Sequence, residues 1–331
     1  MMQQETICRG RFAPTPSGKM HIGNALTALL GWLQMRSLKG RYILRIEDID
    51  EQRSREELVD ELMRDLIWLG LDWDEGPDVG GSFGPYIQTE RKTLYESALA
   101  KLKEAGLLYP CYCSRADIMA AASAPHGLAS EGRRYPGTCR HLTKEEALRK
   151  EQHKKPSLRM KVPEQAIVFT DDIVGPQVYP LEKSGDFVVR RADEMISYQL
   201  AVVVDDALMG ITHVLRGADL LDSTPRQLLL YEALGYTPPR FAHVPLIVDA
   251  DGKRLAKRNR GLSLSFLRGQ GIQPQRIVGW LAWAAGLIPS PEPVSPSELV
   301  QSFDMAQITP EPIKLTHDAL KMLFAPMPNL Q

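Results

Sequence analysis

The sequence has no long apolar run. Across its 331 residues, no stretch approaches the roughly 18 consecutive apolar residues that a membrane-spanning helix needs. The first ten residues are polar and lack the apolar segment of a secretory signal. These absences exclude a membrane-spanning class, and the sequence therefore predicts a cytoplasmic protein without a membrane partner.

The sequence also has no excess of charge of either sign. It carries 40 basic and 41 acidic side chains, for a net charge of -1. The overall balance therefore does not predict attraction to a polyanion. Any nucleic-acid contact is expected at local basic clusters, namely 133–134, 149–155 and 253–260, although each is also compatible with ordinary solvated surface.

Cysteine is scarce, and its four copies exclude a disulfide-rich scaffold. Cys111, Cys113 and Cys139 lie close together in the sequence, whereas Cys8 stands apart and is expected in a strand. In a reducing compartment, such grouped thiols favour a metal site over disulfides. The alternative is that they are ordinary buried thiols, because a Cys-x-Cys pair is less diagnostic than two Cys-x-x-Cys knuckles.

What the sequence does have is an alternation of strand and helix patterns. With 44% hydrophobic residues and a mean hydropathy of -0.23, the chain is long enough for one doubly wound domain plus a smaller unit. The early order is a strand at 7–13, a helix running toward Gly40, a strand at 42–46 and a helix with a leucine stripe. Ser54 and Glu57 have the spacing of a capping box at the start of that second helix. This order predicts an α/β fold with a Rossmann-like parallel sheet.

The later pattern divides the chain further. We expect the first half of the sheet domain over 1–105, a cysteine-containing insertion over 106–157, the second half over 158–250, and a basic loop with a helical C-terminal part over 251–331. Strands at 158–162, 187–190, 211–215 and 244–248 are expected to complete the sheet. Helices are expected at 89–105, 224–234 and 274–285.

Two loops have the composition of phosphate-binding sites. The segment RFAPTPSGKMHIGN, residues 11–24, lies at a strand-to-helix junction, where free backbone N–H groups favour anions. His21 offers a further donor, and Gly23 permits close approach of a nucleotide. Alone, this segment is equally well explained as a Pro/Gly loop with a surface histidine. The second loop, 252–261, carries five cations between glycines and is otherwise interpreted as a solvated basic turn.

Together these segments resemble the class I aminoacyl-tRNA synthetases of the glutamyl type. RFAPTPSGKMHIGN resembles the HIGH region of that family and RLAKR, residues 254–258, its KMSKS loop. The sequence departs from both signatures: Asn24 replaces the final histidine, and RLAKR keeps a single lysine, Lys257. LRIEDIDEQR, Tyr198 and HVLRGADLLDSTPRQ follow in the family's order, so the resemblance spans 11–261.

The resemblance implies a glutamate pocket and an ATP site. The residues implied to bind L-glutamate are Arg11, Phe12, Ala13, Pro14, Thr15, Glu47, Tyr198 and Arg216. Those implied to bind ATP are His21, Gly23, Asn24 and Lys257, of which His21 and Lys257 would act in catalysis. Glu47 would hold the ammonium group, and arginine suits the side-chain carboxylate. Each residue also has a structural alternative: Glu47 in a turn, Tyr198 in the core and Arg216 paired with Asp219.

Two metal ions are expected. Three thiolates need a fourth ligand to hold Zn²⁺, and chemistry alone favours His126 or His141. The resemblance instead implies Tyr135, four residues before Cys139. Mg²⁺ is expected to accompany the nucleotide, without a dedicated carboxylate cage.

The short segment after the basic loop narrows the resemblance. Only residues 262–331 follow it, whereas glutamyl-tRNA synthetases carry a large anticodon-binding region there. This feature and the cysteine insert resemble the glutamyl-Q tRNA(Asp) synthetases, which transfer activated glutamate to queuosine in the anticodon of tRNA-Asp. The alternatives are a truncated glutamyl-tRNA synthetase that charges the 3′ end of tRNA-Glu, and a non-catalytic paralogue that binds tRNA or nucleotide.

Overall fold

The computed structural model describes residues 7–114, 116–118, 127–128, 132–133, 135–180, 185–253 and 262–324. Its elements alternate between strand and helix, as the sequence pattern predicts. The strands are β1 Arg9–Phe12, β2 Arg41–Leu44, β3 Leu108–Cys111, β4 Gly127–Leu128, β5 Gly132–Arg133, β6 Ser157–Met160, β7 Ile167–Asp171, β8 Gly175–Tyr179, β9 Phe187–Arg190, β10 His213–Gly217, β11 Arg240–Val244, β12 Ile247–Val248 and β13 Ile313–Lys314.

Ten α-helices occur in the described ranges. They are α1 Ile22–Ser37, α2 Glu56–Leu69, α3 Lys92–Glu104, α4 Lys144–Glu151, α5 Tyr198–Leu208, α6 Thr224–Leu234, α7 Leu264–Gly269, α8 Pro274–Ala284, α9 Pro296–Leu299 and α10 His317–Phe324. Short 3₁₀ turns at Gln88–Arg91, Ala218–Ser223 and Met305–Gln307 complete the description.

The central sheet has six strands in the order β2-β1-β10-β11-β7-β8. The first five are parallel, and β8 returns antiparallel to β7 as a hairpin at the edge. A parallel sheet brings the carboxyl ends of its strands to one edge, where ligands bind in such folds. The predicted α/β, Rossmann-like fold is confirmed.

Helices cover both faces of this sheet. Successive residues of a strand point to opposite faces, so Leu44 and Leu215 pack in the core formed with α1, α2 and α8, whereas Ile43 and Val214 pack with α3, α5 and α6. Burial on both faces explains why apolar residues such as Ile43 and Leu44 follow one another in these strands rather than alternating with polar ones. The arrangement is the doubly wound one.

Two of the predicted strands belong elsewhere. The strands predicted at 158–162 and 187–190 are β6 and β9, and they pair with β3 in a separate three-stranded antiparallel sheet. The central sheet instead includes β7 and β8, which the pattern did not predict. The strand predicted at 244–248 is divided between the last residue of β11, Val244, and β12, which pairs with β13 outside the central sheet. Short apolar runs predict a strand but not its partner, which explains the error.

The predicted capping box is also wrong. The N-cap of α2 is Arg55, which makes no side-chain cap hydrogen bond, and Ser54 Oγ makes none with any part of the described chain. Instead, the first turn of α2 carries Glu56 and Glu57, whose charges favour the positive end of the helix dipole.

A close contact lies within the C-terminal part, beside the helix that packs on the sheet domain. Gly279 of α8 lies against the backbone of the Pro-rich segment that follows this helix, and an added Cβ would overlap the carbonyl oxygen of Glu292. The same helix packs against α1 and α2, so this contact continues the first core.

We therefore predict that Gly279→Ala lowers the free energy of unfolding by roughly 1–3 kcal/mol or more, because a backbone carbonyl must move. Gly269→Ala is the matched control. No atom lies within 4 Å of a Cβ added there, and it is expected to be neutral or slightly stabilising. Urea denaturation of both variants measures the difference, and equal midpoints would contradict the packing described.

Candidate active site at the carboxyl edge of the sheet

A cleft of about 1010 Å³ opens at the carboxyl ends of β1, β10 and β11. It brings together all of the predicted glutamate- and ATP-binding residues that the structure describes. The cleft is lined, among others, by Arg11, Phe12, Ala13, Pro14, Thr15, His21, Gly23, Asn24, Glu47, Tyr198 and Arg216. Lys257 lies outside the described residues, and its predicted role is therefore not tested. Leu262 and Ser263, which follow that loop, line the cleft.

The predicted phosphate loop ends in a helix cap. His21 is the N-cap of α1, and its Nδ1 accepts a hydrogen bond of 3.1 Å from the backbone N–H of Gly23. Asn24 Oδ1 accepts from the backbone N–H of His21 at 3.5 Å, which completes a capping box. A Cβ on Gly23 would lie 3.0 Å from the His21 ring, so the glycine leaves room for this cap. The imidazole is thus held at the positive end of a helix, facing the cleft.

Arg216 lies on β10 and is nearly inaccessible to solvent, with an exposure of 4%. Its Nε donates to His243 Nε2 at 3.0 Å, Nη1 to Gln227 Oε1 at 2.7 Å and Nη2 to Thr224 Oγ1 at 2.9 Å. All three acceptors are neutral, and within the described chain Arg216 makes no ion pair. The alternative that Arg216 pairs with Asp219 is therefore not observed.

This environment leaves a buried positive charge facing the cleft. Burial lowers the pKa of Arg216, with a further lowering from Arg11. A guanidinium in such a place favours an anionic ligand, because a carboxylate would neutralise the charge and use N–H groups that the protein leaves open.

A network of buried charged side chains surrounds Glu47. Arg45 is fully buried and donates to Glu47 Oε1 at 2.9 Å and to Asp206 Oδ1 at 2.6 Å. Asp206 also accepts from Arg11 Nε at 3.1 Å. Burial raises the pKa of Glu47, and the neighbouring Arg45 opposes this shift. A cation bound in the cleft beside Glu47 would further favour its charged form.

Asp205, the residue before Asp206, extends this network away from the cleft. It accepts hydrogen bonds from Arg91 at 2.6 Å, from Gln88 at 2.8 Å and from Tyr95 at 3.0 Å. The two aspartates lie in α5 beside the apolar run 200–204, so their burial was signalled by acidic residues in an otherwise apolar helix. The sequence reasoning missed Arg45, Asp205 and Asp206.

Tyr198 is the first residue of α5 and lines the cleft. Burial raises its pKa, so the phenol is a neutral donor at physiological pH. Its hydroxyl makes no hydrogen bond within the described chain and is open to a ligand.

The cysteine cluster forms a separate site. The ligand atoms of Cys111, Cys113 and Cys139 all lie within 4.8 Å of one another. The Tyr135 hydroxyl is 3.4 Å from Cys111 Sγ and 3.7 Å from Cys113 Sγ, and Cys113 Sγ is 3.6 Å from Cys139 Sγ. The three cysteines can therefore bind one metal ion. Of the two candidate histidines, His141 is exposed and outside this group, and His126 is outside the described residues.

Comparison with known proteins identifies the class. The family model for tRNA synthetases class I (E and Q), catalytic domain, matches residues 8–319. The chain belongs to this family and is an enzyme of the ligase class.

Two relatives match nearly end to end. A protein from Symbiobacterium thermophilum named Glutamyl-Q tRNA(Asp) synthetase is 60% identical over 315 residues, covering 95% of this chain and 98% of that protein. One of the same name from Nitratidesulfovibrio vulgaris is 48% identical, covering 96% and 98%. The predicted resemblance is confirmed.

Longer relatives match in part. A Glutamate--tRNA ligase from Natranaerobius thermophilus is 43% identical over 304 residues, which are 91% of this chain but 62% of that protein. The crystal structure of glutamate-tRNA synthetase from Elizabethkingia anophelis superimposes with a TM-score of 0.83 at 28% identity, over 96% of this chain and 70% of that one.

Across the described residues, no helix has the length and apolar character needed to cross a membrane.

The charge network around Arg45 gives a stability prediction. Arg45→Met would leave Glu47, Asp205 and Asp206 buried with one cation fewer, and we expect the free energy of unfolding to fall by about 3–5 kcal/mol. Arg41→Met is the control, because the Arg41 side chain is 54% exposed and its ion pair with Asp74 spans 3.5 Å. That change is expected to cost less than about 1 kcal/mol. Chemical denaturation checks both, and a comparable loss in the two variants would disprove the central role of Arg45.

Proposed function

We propose that this enzyme uses ATP to activate L-glutamate as glutamyl-adenylate, without needing tRNA, and then transfers the glutamate to queuosine in the anticodon of tRNA-Asp. The observation that carries the first part is the pairing of opposite charges in one cleft. Within the part of the chain that the structure describes, Arg216 presents a buried cation that makes no ion pair, and Glu47 presents a buried carboxylate. An amino acid with an acidic side chain complements both.

In the proposed first step, an oxygen of the glutamate α-carboxylate attacks the α-phosphorus of ATP. The new P–O bond forms as the bond to pyrophosphate breaks, and no proton has to be removed because the carboxylate is already ionised. The protein therefore supplies positioning and positive charge. Glu47 would hold the ammonium group, Arg216 the side-chain carboxylate, and Tyr198 would donate to one of the remaining oxygens.

The nucleotide would lie at the start of α1. His21, Gly23 and Asn24 line the cleft there, and the open N–H groups of the helix terminus suit phosphate. We assign Lys257 to the departing pyrophosphate, which follows from the resemblance alone. Mg²⁺ would arrive with the phosphates, since the described residues contain no carboxylate group of three or more ligands.

The acceptor is proposed from the relatives. In the second step, the acceptor atom of the modified base would attack the activated carbonyl carbon and AMP would leave. The extent of the match supports this acceptor, because the chain spans 98% of each relative named for glutamyl-Q and 62% of the Natranaerobius ligase. A second candidate, charging the 3′ end of tRNA-Glu, is favoured by the 43% identity to that ligase.

Glutamate-dependent exchange of pyrophosphate into ATP tests the first step. We predict exchange without tRNA, and a loss of about 10²–10³ in kcat/KM for Arg216→Gln, because the ligand carboxylate loses a charged partner. Arg226→Gln, on the adjacent helix α6, is the matched control and should retain activity. Absence of exchange in the unaltered enzyme would favour a non-catalytic paralogue.

Transfer to tRNA tests the acceptor. We expect labelled glutamate to appear on queuosine-containing tRNA-Asp and not on the same tRNA lacking queuosine. Label on unmodified tRNA-Glu would instead support charging of the 3′ end. Nuclease digestion of the labelled tRNA, followed by identification of the labelled nucleotide, distinguishes an ester on the anticodon base from one on the 3′-terminal adenosine.

We further propose that Cys111, Cys113, Cys139 and Tyr135 hold one structural Zn²⁺. Two sulfurs on a tetrahedral zinc are separated by about 3.8 Å, and a sulfur and an oxygen by about 3.5 Å. The corresponding separations here are 3.6 Å between the sulfurs of Cys113 and Cys139, and 3.4 and 3.7 Å from the phenol oxygen to the sulfurs of Cys111 and Cys113, and they fit such a site. The Arg159 guanidinium lies 3.8 Å from the Tyr135 ring centroid and would offset negative charge on the thiolates.

Metal analysis tests this proposal. Protein purified without chelator should contain about one zinc per chain, since the described residues contain one such group of ligands. Cys139→Ser is expected to lower the content well below one, whereas Cys8→Ser should not change it. Tyr135→Phe compared with His141→Asn distinguishes the fourth ligand. Substoichiometric zinc in the unaltered protein would refute the assignment.

A further inference from the structure

Behind Arg216, a buried chain of polar groups crosses three neighbouring strands. Asp171 at the end of β7 contacts His243 of β11, with Oδ2 2.6 Å from Nδ1, and His243 in turn contacts Arg216 of β10. Asp171 is 2% exposed and His243 is fully buried. This chain does not line the cleft, so it acts on a ligand only through Arg216.

The carboxylate determines which nitrogen of His243 carries the proton. Asp171 accepts at Oδ1 from the backbone N–H groups of Ile173, Val174 and His243, at 3.0 to 3.1 Å, and is therefore held in place. Burial opposes its charge, but the hydrogen bond from His243 and the backbone donors lower the pKa of Asp171. An ionised Asp171 keeps the proton on Nδ1, which leaves Nε2 as an acceptor for Arg216.

His243 itself is neutral. Burial lowers its pKa, and the charges of Arg216 and Arg11 lower it further, against the effect of Asp171. A protonated imidazole would present an N–H to the Arg216 Nε–H, two donors facing each other. The neutral ring satisfies Arg216 without neutralising it.

The two terminal nitrogens of the Arg216 guanidinium also donate to neutral acceptors. Gln227 accepts from Nη1, and its own amide donates to Gln199 Oε1 at 3.0 Å, which fixes its orientation. Thr224 accepts from Nη2. Each nitrogen of Arg216 thus has one neutral acceptor, and the plane of the guanidinium is fixed from behind.

We propose that Asp171 and His243 are positioning residues for amino-acid selection. A carboxylate in direct contact with Arg216 would hold the guanidinium equally firmly but would neutralise the charge that a ligand carboxylate needs. An imidazole between the two keeps the hydrogen bond and leaves the charge for the ligand. The arrangement selects an acidic side chain over its amide. This inference rests on the proposed function and names residues that support the same site.

The test uses two substitutions of His243, each designed to keep one of the two hydrogen bonds of the imidazole and to remove the other. His243→Gln can place an amide oxygen near the position of Nε2 and keep the acceptor for Arg216. His243→Asn can keep a donor to Asp171 but leaves Arg216 Nε without a partner. In pyrophosphate exchange without tRNA, we expect His243→Asn to raise KM for glutamate about 10- to 100-fold, the cost of losing a hydrogen bond to a charged group. KM for ATP should remain within about twofold.

His243→Gln should recover most of this loss. Asp171→Asn supplies a second variant, in which the proton is no longer held on Nδ1, and should raise KM for glutamate while leaving KM for ATP unchanged. His213→Gln is the control, because His213 is half-buried at the opposite end of β10, where its Nδ1 contacts Thr212 at 2.8 Å. It should match the unaltered enzyme.

The outcomes are distinguishable. If the unaltered enzyme shows no glutamate-dependent exchange, the proposed function fails. If it is active and His243→Asn and Asp171→Asn leave KM for glutamate unchanged, the positioning role is wrong. Equal changes in KM for ATP and glutamate, or no recovery in His243→Gln, would indicate a purely structural histidine and also overturn the inference.

Discussion

The site depends on the burial of charge. Asp205 and Asp206 lie side by side in α5, both out of contact with water, and ionised groups in such a place need partners. Arg11, Arg45 and Arg91 supply them from β1, from the residue after β2, and from the turn before α3. These pairs join the two halves of the sheet domain at its centre. Arg11 and Glu47 line the cleft, and their ion pairs with Asp206 and Arg45 hold them in place there.

Arg11 and Arg216 illustrate two uses of the same side chain. Arg11 pairs with the carboxylate of Asp206 at 3.1 Å, which ties β1 to α5. Among the described residues, Arg216 has only neutral acceptors, so no carboxylate offsets its charge. A buried arginine is therefore not by itself a binding residue, and the nature of its acceptors distinguishes the two roles. By this criterion, the proposed selection of an acidic amino acid would fall mainly on Arg216, because Glu47 is itself paired with Arg45 at 2.9 Å.

The C-terminal part closes the same cleft. The backbone of Leu264 donates to Met20 at 2.9 Å, and Lys19 contacts both Glu61 of α2 and Ser265 of α7. Arg268 of α7 pairs with the buried Asp65 at 2.7 Å. The end of the proposed nucleotide loop and helix α2 thus both contact the segment that follows the second basic loop. These contacts explain how parts of the chain that are more than 200 residues apart line one cavity.

The sequence by itself determined those features that a short segment encodes. A strand, a Pro/Gly loop and a helix in immediate succession place His21 and Gly23 at a helix N-terminus, because the local chain geometry leaves little choice. Cys111, Cys113, Cys139 and Tyr135 lie within 29 residues of one another in the sequence, and the structure brings their side chains together. Only the tertiary structure decided which strands share a sheet and which buried charges pair. Arg45 meets Asp206, and Arg216 meets His243 and, through it, Asp171, because of how β7, β10, β11 and α5 pack. The local sequence pattern does not encode these contacts, because the same residues would fit the same strands and helices if they contacted other partners.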